Sequence, residues 1–80
     1  MPQSTTDVVI PNNYANRTVQ WAKNDLATVD LNIRVAFPGG QYHTPGSDEL
    51  PLGIQANAPG SEKGQPRQSG GTVNVILKPI

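Results

Sequence analysis

Residues 28–37 read Thr28-Val29-Asp30-Leu31-Asn32-Ile33-Arg34-Val35-Ala36-Phe37. Val29, Leu31, Ile33, Val35 and Phe37 recur at every second position, with Asp30, Asn32, Arg34 and Ala36 between them. A period of two puts the apolar set on one face of a strand. A helix would place 29, 33 and 37 together and throw 31 and 35 to the far side. The stretch predicts a strand packed on one face and wet on the other, as in sheets that face water on one side.

Three further segments repeat the pattern. Thr72–Lys78 (TVNVILK) alternates with Val73, Val75 and Leu77 inward, and Pro79 stops it. Leu50–Ala56 (LPLGIQA) alternates through Leu50, Leu52, Ile54 and Ala56, and Pro51 makes it an edge strand or a strand start because proline cannot donate to a ladder. Arg17–Lys23 (RTVQWAK) sets Val19 and Trp21 against Thr18, Gln20 and Ala22, which predicts a half-buried strand ended by Asn24-Asp25, with Trp21 in the core. Toward the N-terminus, Asp7–Ile10 holds the apolar run Val8-Val9-Ile10, closed by the turn residues Pro11-Asn12-Asn13. It reads either as an edge strand of this chain or as an arm that adds a strand to a partner's sheet.

Between these segments lie two stretches dense in turn residues. Pro38–Glu49 carries Pro38-Gly39-Gly40 and Pro45-Gly46, and Asn57–Gly71 has no Leu, Ile, Val, Met or aromatic residue. A structureless stretch of the second kind is usually functional or mobile. The resulting expectation is an all-β chain, a small β-barrel or β-sandwich of about five strands with long Gly/Pro-rich loops. Its organisation is residues 1–10 as a flexible N-terminal arm or edge strand and residues 11–80 as a single small β-domain.

Composition narrows the function. Eight glycines and eight prolines in 80 residues, one tryptophan and no cysteine leave a thin core with no disulfide framework, no Cys-based zinc site and no thiol chemistry. Domains this small and lean commonly gain stability by association. Six basic residues balance six acidic ones, and Arg17, Lys23, Arg34, Lys63, Arg67 and Lys78 are scattered, so the clustered basic footprint of a nucleic-acid binder is missing. No apolar run approaches the ~20 residues of a membrane span. Met1–Asp7 is polar and acidic, which predicts no signal peptide.

Chemistry-bearing groups are few. His43 stands near the pair Asp48-Glu49 on a Gly/Pro-rich stretch. General acid–base work needs such groups to converge in a protected cleft, and one histidine with two adjacent acids lacks the ligand spacing of zinc or calcium sites. The expectation is no catalytic residue, no metal and no cofactor. Neither Pro38-Gly39-Gly40 nor Ser69-Gly70-Gly71 leads into Lys-Ser/Thr, so neither is a phosphate loop.

One resemblance adds to this reading. Leu52-Gly53-Ile54-Gln55-Ala56-Asn57-Ala58, a Gly-rich insert, and then Gly71-Thr72-Val73-Asn74-Val75 resemble the capsid decoration, or cement, proteins of tailed bacteriophages. The likeness lies in a Gly-aliphatic, Asn/Ala, Gly, Val-x-Val order and covers about thirty residues. It implies a β-tulip-like domain, a place on the virion's capsid surface after synthesis in the host cytoplasm, and the major capsid protein as partner. It also implies homo-oligomers, often trimers, that bridge neighbouring capsid subunits, with no catalytic residues. Val8, Val9, Ile10, Tyr14 and Tyr42 are the contact residues expected for such a protein. A tail or baseplate β-domain, and a stand-alone adaptor or inhibitor of one host protein, are the alternatives.

Overall fold

A computed structural model of the chain describes residues 7–79. The elements run β1 (Asp7–Val9), α1 (Val19–Ala27), β2 (Asn32–Ala36), β3 (Ile54–Asn57), β4 (Pro66–Gln68) and β5 (Thr72–Leu77). They form a three-stranded sheet in the order β2-β5-β3 and a two-stranded sheet of β1 and β4. The molecule is β-rich, but it carries a helix, and its two sheets do not close a barrel among the described residues.

Central β5 holds the larger sheet together. β2 runs parallel to it, with Ile33 beside Val73 and Val35 beside Val75. β3 runs antiparallel on its other side, with Ile54 beside Leu77 and a bulge between Ile54 and Ala56. Period-two alternation turns Ile33, Val35, Val73, Val75 and Leu77 to one face, and all five are buried. The strand expected over 28–37 is therefore present but shorter. Thr28 caps the preceding helix, and Asp30 takes a left-handed conformation (φ 57°), which ends the pattern before Asn32. The turn around Asp30 docks on the β4–β5 turn: its carbonyl accepts from the Gly70 N–H at 2.7 Å, and its carboxylate accepts from the Ser69 hydroxyl.

The helix corrects the strand expected over 17–23. Val19, Ala22 and Leu26 lie three and four residues apart and are buried on one face. Alternation of Val19 with Trp21 over a few residues is compatible with either period, and the turn residues Asn24 and Asp25 turn out to be helical. Nine residues make a marginal helix alone, so its start is supported from outside. The Thr18 hydroxyl accepts from the Trp21 N–H at 3.1 Å, a cap of about 1 kcal/mol. The carbonyls of Leu52 and Leu50 accept from the N–H groups of Val19 (3.0 Å) and Gln20 (2.9 Å). Residues 50–52 thus serve the helix rather than a ladder, and the strand expected from Leu50 begins only at Ile54. Trp21 points outward at 39% exposure, a second correction, because the helical period turns it away from the Val19–Leu26 stripe.

The segment 7–10 takes the edge-strand alternative within its own chain. β1 pairs antiparallel with β4, and Ile10 extends the pairing to Gln65 and Gly64 at 3.0 and 2.8 Å. The remainder of the expected arm, residues 1–6, lies outside the described residues. Residues 57–71 are likewise not one structureless loop. They contain β4, and their anchor is polar. Buried Ser61 accepts from the Asn74 N–H at 3.2 Å, and the Arg67 guanidinium donates to the Gly60 carbonyl at 2.6 Å and to the Ser61 hydroxyl at 3.2 Å. No apolar periodicity marks this region, because side chain–backbone hydrogen bonds do the work that packing does elsewhere.

Candidate interaction surface

The five expected contact residues separate in the fold. Ile10 and Tyr14 are fully buried, so neither offers surface to a partner, and Val8 packs partly against the core. Val9 (57% exposed) and Tyr42 (37% exposed) face solvent from β1 and from the loop after β2. Apolar Ile10 follows Val9 in strand alternation and so takes the inward face. Tyr14 enters the core ring first and keeps its polar tip satisfied: its hydroxyl donates to Asp25 Oδ2 at 2.8 Å, beside Asn12 Nδ2 at 2.9 Å.

On the outer face of α1 the Arg17 guanidinium lies over the Trp21 ring, 4.5 Å from its centroid. Tyr14 meets the same ring edge-on at 5.9 Å. A cation over an indole face is favourable, and the pair forms an exposed aromatic–cationic feature. Arg17 precedes the Thr18 cap and lies outside α1, so the pairing follows from how the chain enters the helix and has no periodic signal in the sequence.

His43 and Glu49 do meet. His43 Nε2 stands 2.8 and 3.0 Å from the two Glu49 carboxylate oxygens, and Nδ1 stands 3.1 Å from the Gln41 carbonyl. Both ring nitrogens face acceptors, which favours the doubly protonated imidazolium. The hydrogen bonds to Glu49 and to Gln41 raise the His43 pKa. The Gly46 N–H, which donates to Glu49 at 2.9 Å, and then His43 lower that of Glu49. A histidine with a raised pKa stabilises the fold fully below its ordinary value of about 6.5 and loses that contribution as pH rises through the raised value. A glutamate with a lowered pKa contributes above its ordinary value of about 4.3 and loses the contribution as pH falls through the lowered one. The pair is therefore intact across the interval between those two ordinary values. In an NMR titration the His43 ring should show a midpoint above about 6.5, and Glu49→Gln should return it toward that value. A wild-type midpoint at or below 6.5 would contradict the pairing. His43 is exposed and Glu49 half-buried, and the pair joins two points of a surface loop. Among the described residues no group of three or more His, Asp or Glu side chains is placed to hold a metal ion.

A groove of about 350 Å³ runs between the end of α1, the outer edge of β2 and residues 44–45. Leu31, Ile33 and Ala27 give it an apolar floor, Lys23 and Arg34 flank it, and no acidic residue lines it. The alternation of residues 28–37 marks Ile33 as inward-facing but carries no sign that the β2 edge is open, since edges are decided by which segment comes to lie alongside. No protein-family model, curated protein or solved structure matches this chain, so the use of these surfaces follows from their own residues.

Proposed function

We propose that this chain is a structural binding protein rather than an enzyme, and that it decorates the outer surface of a tailed-phage capsid, bridging neighbouring copies of the major capsid protein. The observation that carries the reading is the placement of the two stretches that resemble decoration proteins. Leu52–Ala58 and Gly71–Val75 are separated by the Gly-rich insert, yet they meet at the end of β3, where Asn57 lies beside Val75 and the Ala58 N–H donates to the Asn74 carbonyl at 2.9 Å. The likeness thus falls on one structural unit. Five short strands joined by turn-rich connections suit the small β-rich domain that the resemblance implies, although the chain also carries a helix. Exposed Val9, Trp21 and Tyr42 supply apolar contact groups on separate elements, which suits a protein that touches more than one neighbour. Stable attachment asks for about 1,000 Å² or more of buried surface per copy, and assembly as a trimer would present three such surfaces at once. Binding of this kind would stiffen a shell by mass action on the assembled state.

Quantitative mass spectrometry of purified particles tests the reading. Copies on the order of hundreds per particle are expected. A handful would move the protein to a tail or baseplate, and absence from particles would leave a soluble adaptor.

A further inference from the structure

We propose that the open edge of β2 receives an extended, acidic segment of a partner protein, added as a further strand beside Ile33, with neighbouring carboxylates reaching Lys23 and Arg34. In the β2–β5 ladder the Asn32 N–H donates to the Gly71 carbonyl at 2.8 Å, so Asn32, Arg34 and Ala36 bond toward β5. The intervening residues direct their backbone groups to the other side. Val35 exchanges both of its bonds there with His43, at 2.8 and 2.9 Å. One step along this antiparallel pairing, Ile33 would face Pro45. A proline has no N–H to offer, and the chain leaves the edge at that point. Among the described residues the Ile33 N–H and C=O have no hydrogen-bond partner on that side.

The groove opens at this same place. Its volume lies at the lower end of the roughly 300–1,000 Å³ of ligand sites, which suits a few residues of extended chain. Unpaired backbone groups at a sheet edge are the usual template for strand addition. The charge selects the partner. Lys23 and Arg34 are exposed and have no ionic partner among the described residues, where the only ion pair is His43–Glu49. Successive side chains of an added strand point to opposite faces. Lys23 stands on α1, which packs on the Ile33 face, and Arg34 alternates to the other face. Two consecutive acidic residues would therefore meet one cation each. This inference is independent of the shell reading, since a capsid protein or a single host protein could present such a segment.

The test is an NMR titration of the full chain, carried to millimolar peptide, with the blocked hexapeptide Thr-Val-Asp-Glu-Val-Thr and its Lys-Lys counterpart. The acidic peptide should shift the amides of residues 32–35 and slow hydrogen exchange at the Ile33 N–H at least tenfold; the basic peptide should do neither. Lys23→Glu with Arg34→Glu should weaken acidic-peptide binding at least tenfold while the melting transition stays in place. Unchanged Ile33 exchange, equal response to both peptides, or shifts centred on Val9 and the β1–β4 edge would each overturn the proposal.

Discussion

Tyr14→Ala should destabilise the fold by roughly 3–5 kcal/mol, the range for removing a buried aromatic side chain. A domain of this length has about 4–12 kcal/mol in total at 0.05–0.15 per residue, so the variant should be largely or wholly unfolded at moderate temperature. Tyr14 is fully buried beside Ile10, Val19 and Leu26, and its ring joins the 12–17 segment to the helix. Tyr14→Phe separates the ring from the hydroxyl. It keeps the packing and loses only the bond to Asp25, which retains Asn12 as donor, so a loss of about 1–2 kcal/mol is expected. Denaturant midpoints measure both. A change below about 1 kcal/mol for Tyr14→Ala, against the range for buried aromatics, would return this residue to the role of a surface contact.

The same hydroxyl links stability to alkaline pH. Burial first, then the hydrogen bond and the negative charge of Asp25, raise its pKa well above the ordinary tyrosine value. A raised folded-state pKa keeps its full contribution below the unfolded value, about 10, and loses it as pH rises from there through the raised value. Stability should therefore fall above pH ~10 more steeply in the wild type than in Tyr14→Phe.

Asn57→Ala should lose roughly 2–4 kcal/mol, because one side chain serves three backbone groups and an unsatisfied buried group costs about 1–3. Its Oδ1 accepts from the Tyr14 N–H at 2.8 Å, and its Nδ2 donates to the carbonyls of Ser61 at 2.8 Å and Asn12 at 3.2 Å. These bonds tie the 12–14 segment and the far end of the 58–61 turn to the end of β3. Asn57→Asp should be no rescue: it keeps the acceptor for Tyr14 but sets a carboxylate against two carbonyl oxygens. The Tyr14 amide reports on the site directly, and its hydrogen exchange should accelerate in both variants. Wild-type protection and stability in Asn57→Ala would show that water replaces the amide without loss.

Asn57 also shows where sequence reading runs short. Its neighbours Ile54 and Ala56 announce a strand by period, but nothing local tells that its amide spans to Tyr14, 43 residues away. The same applies to Tyr14 and Ile10, which a turn-rich setting and a terminal apolar run offered as contact groups and the fold absorbs into its core. Trp21 moved the opposite way, from expected core to surface, when Arg17–Lys23 proved helical rather than extended. Few residues distinguish a period of two from one of 3.6 in so short a stretch, and the helix is decided by the Thr18 cap and the Leu50 and Leu52 carbonyls that receive its first N–H groups. For the candidate site, proximity of His43 to Glu49 was legible from their spacing on one loop, whereas the β2 groove was not.

Local pattern was enough to establish a β-rich chain, a lean core without disulfides, and the inward faces of Ile33–Val35 and Val73–Leu77. Those are properties of composition and backbone period, written within a few consecutive residues. The parallel pairing of β2 with β5, the helix in place of a strand, the capture of residues 7–10 by β4 and the open edge at Ile33 were settled only by the folded arrangement. Each depends on contacts between segments distant in the chain, where the competition to satisfy backbone groups and fill one small core selects a single solution.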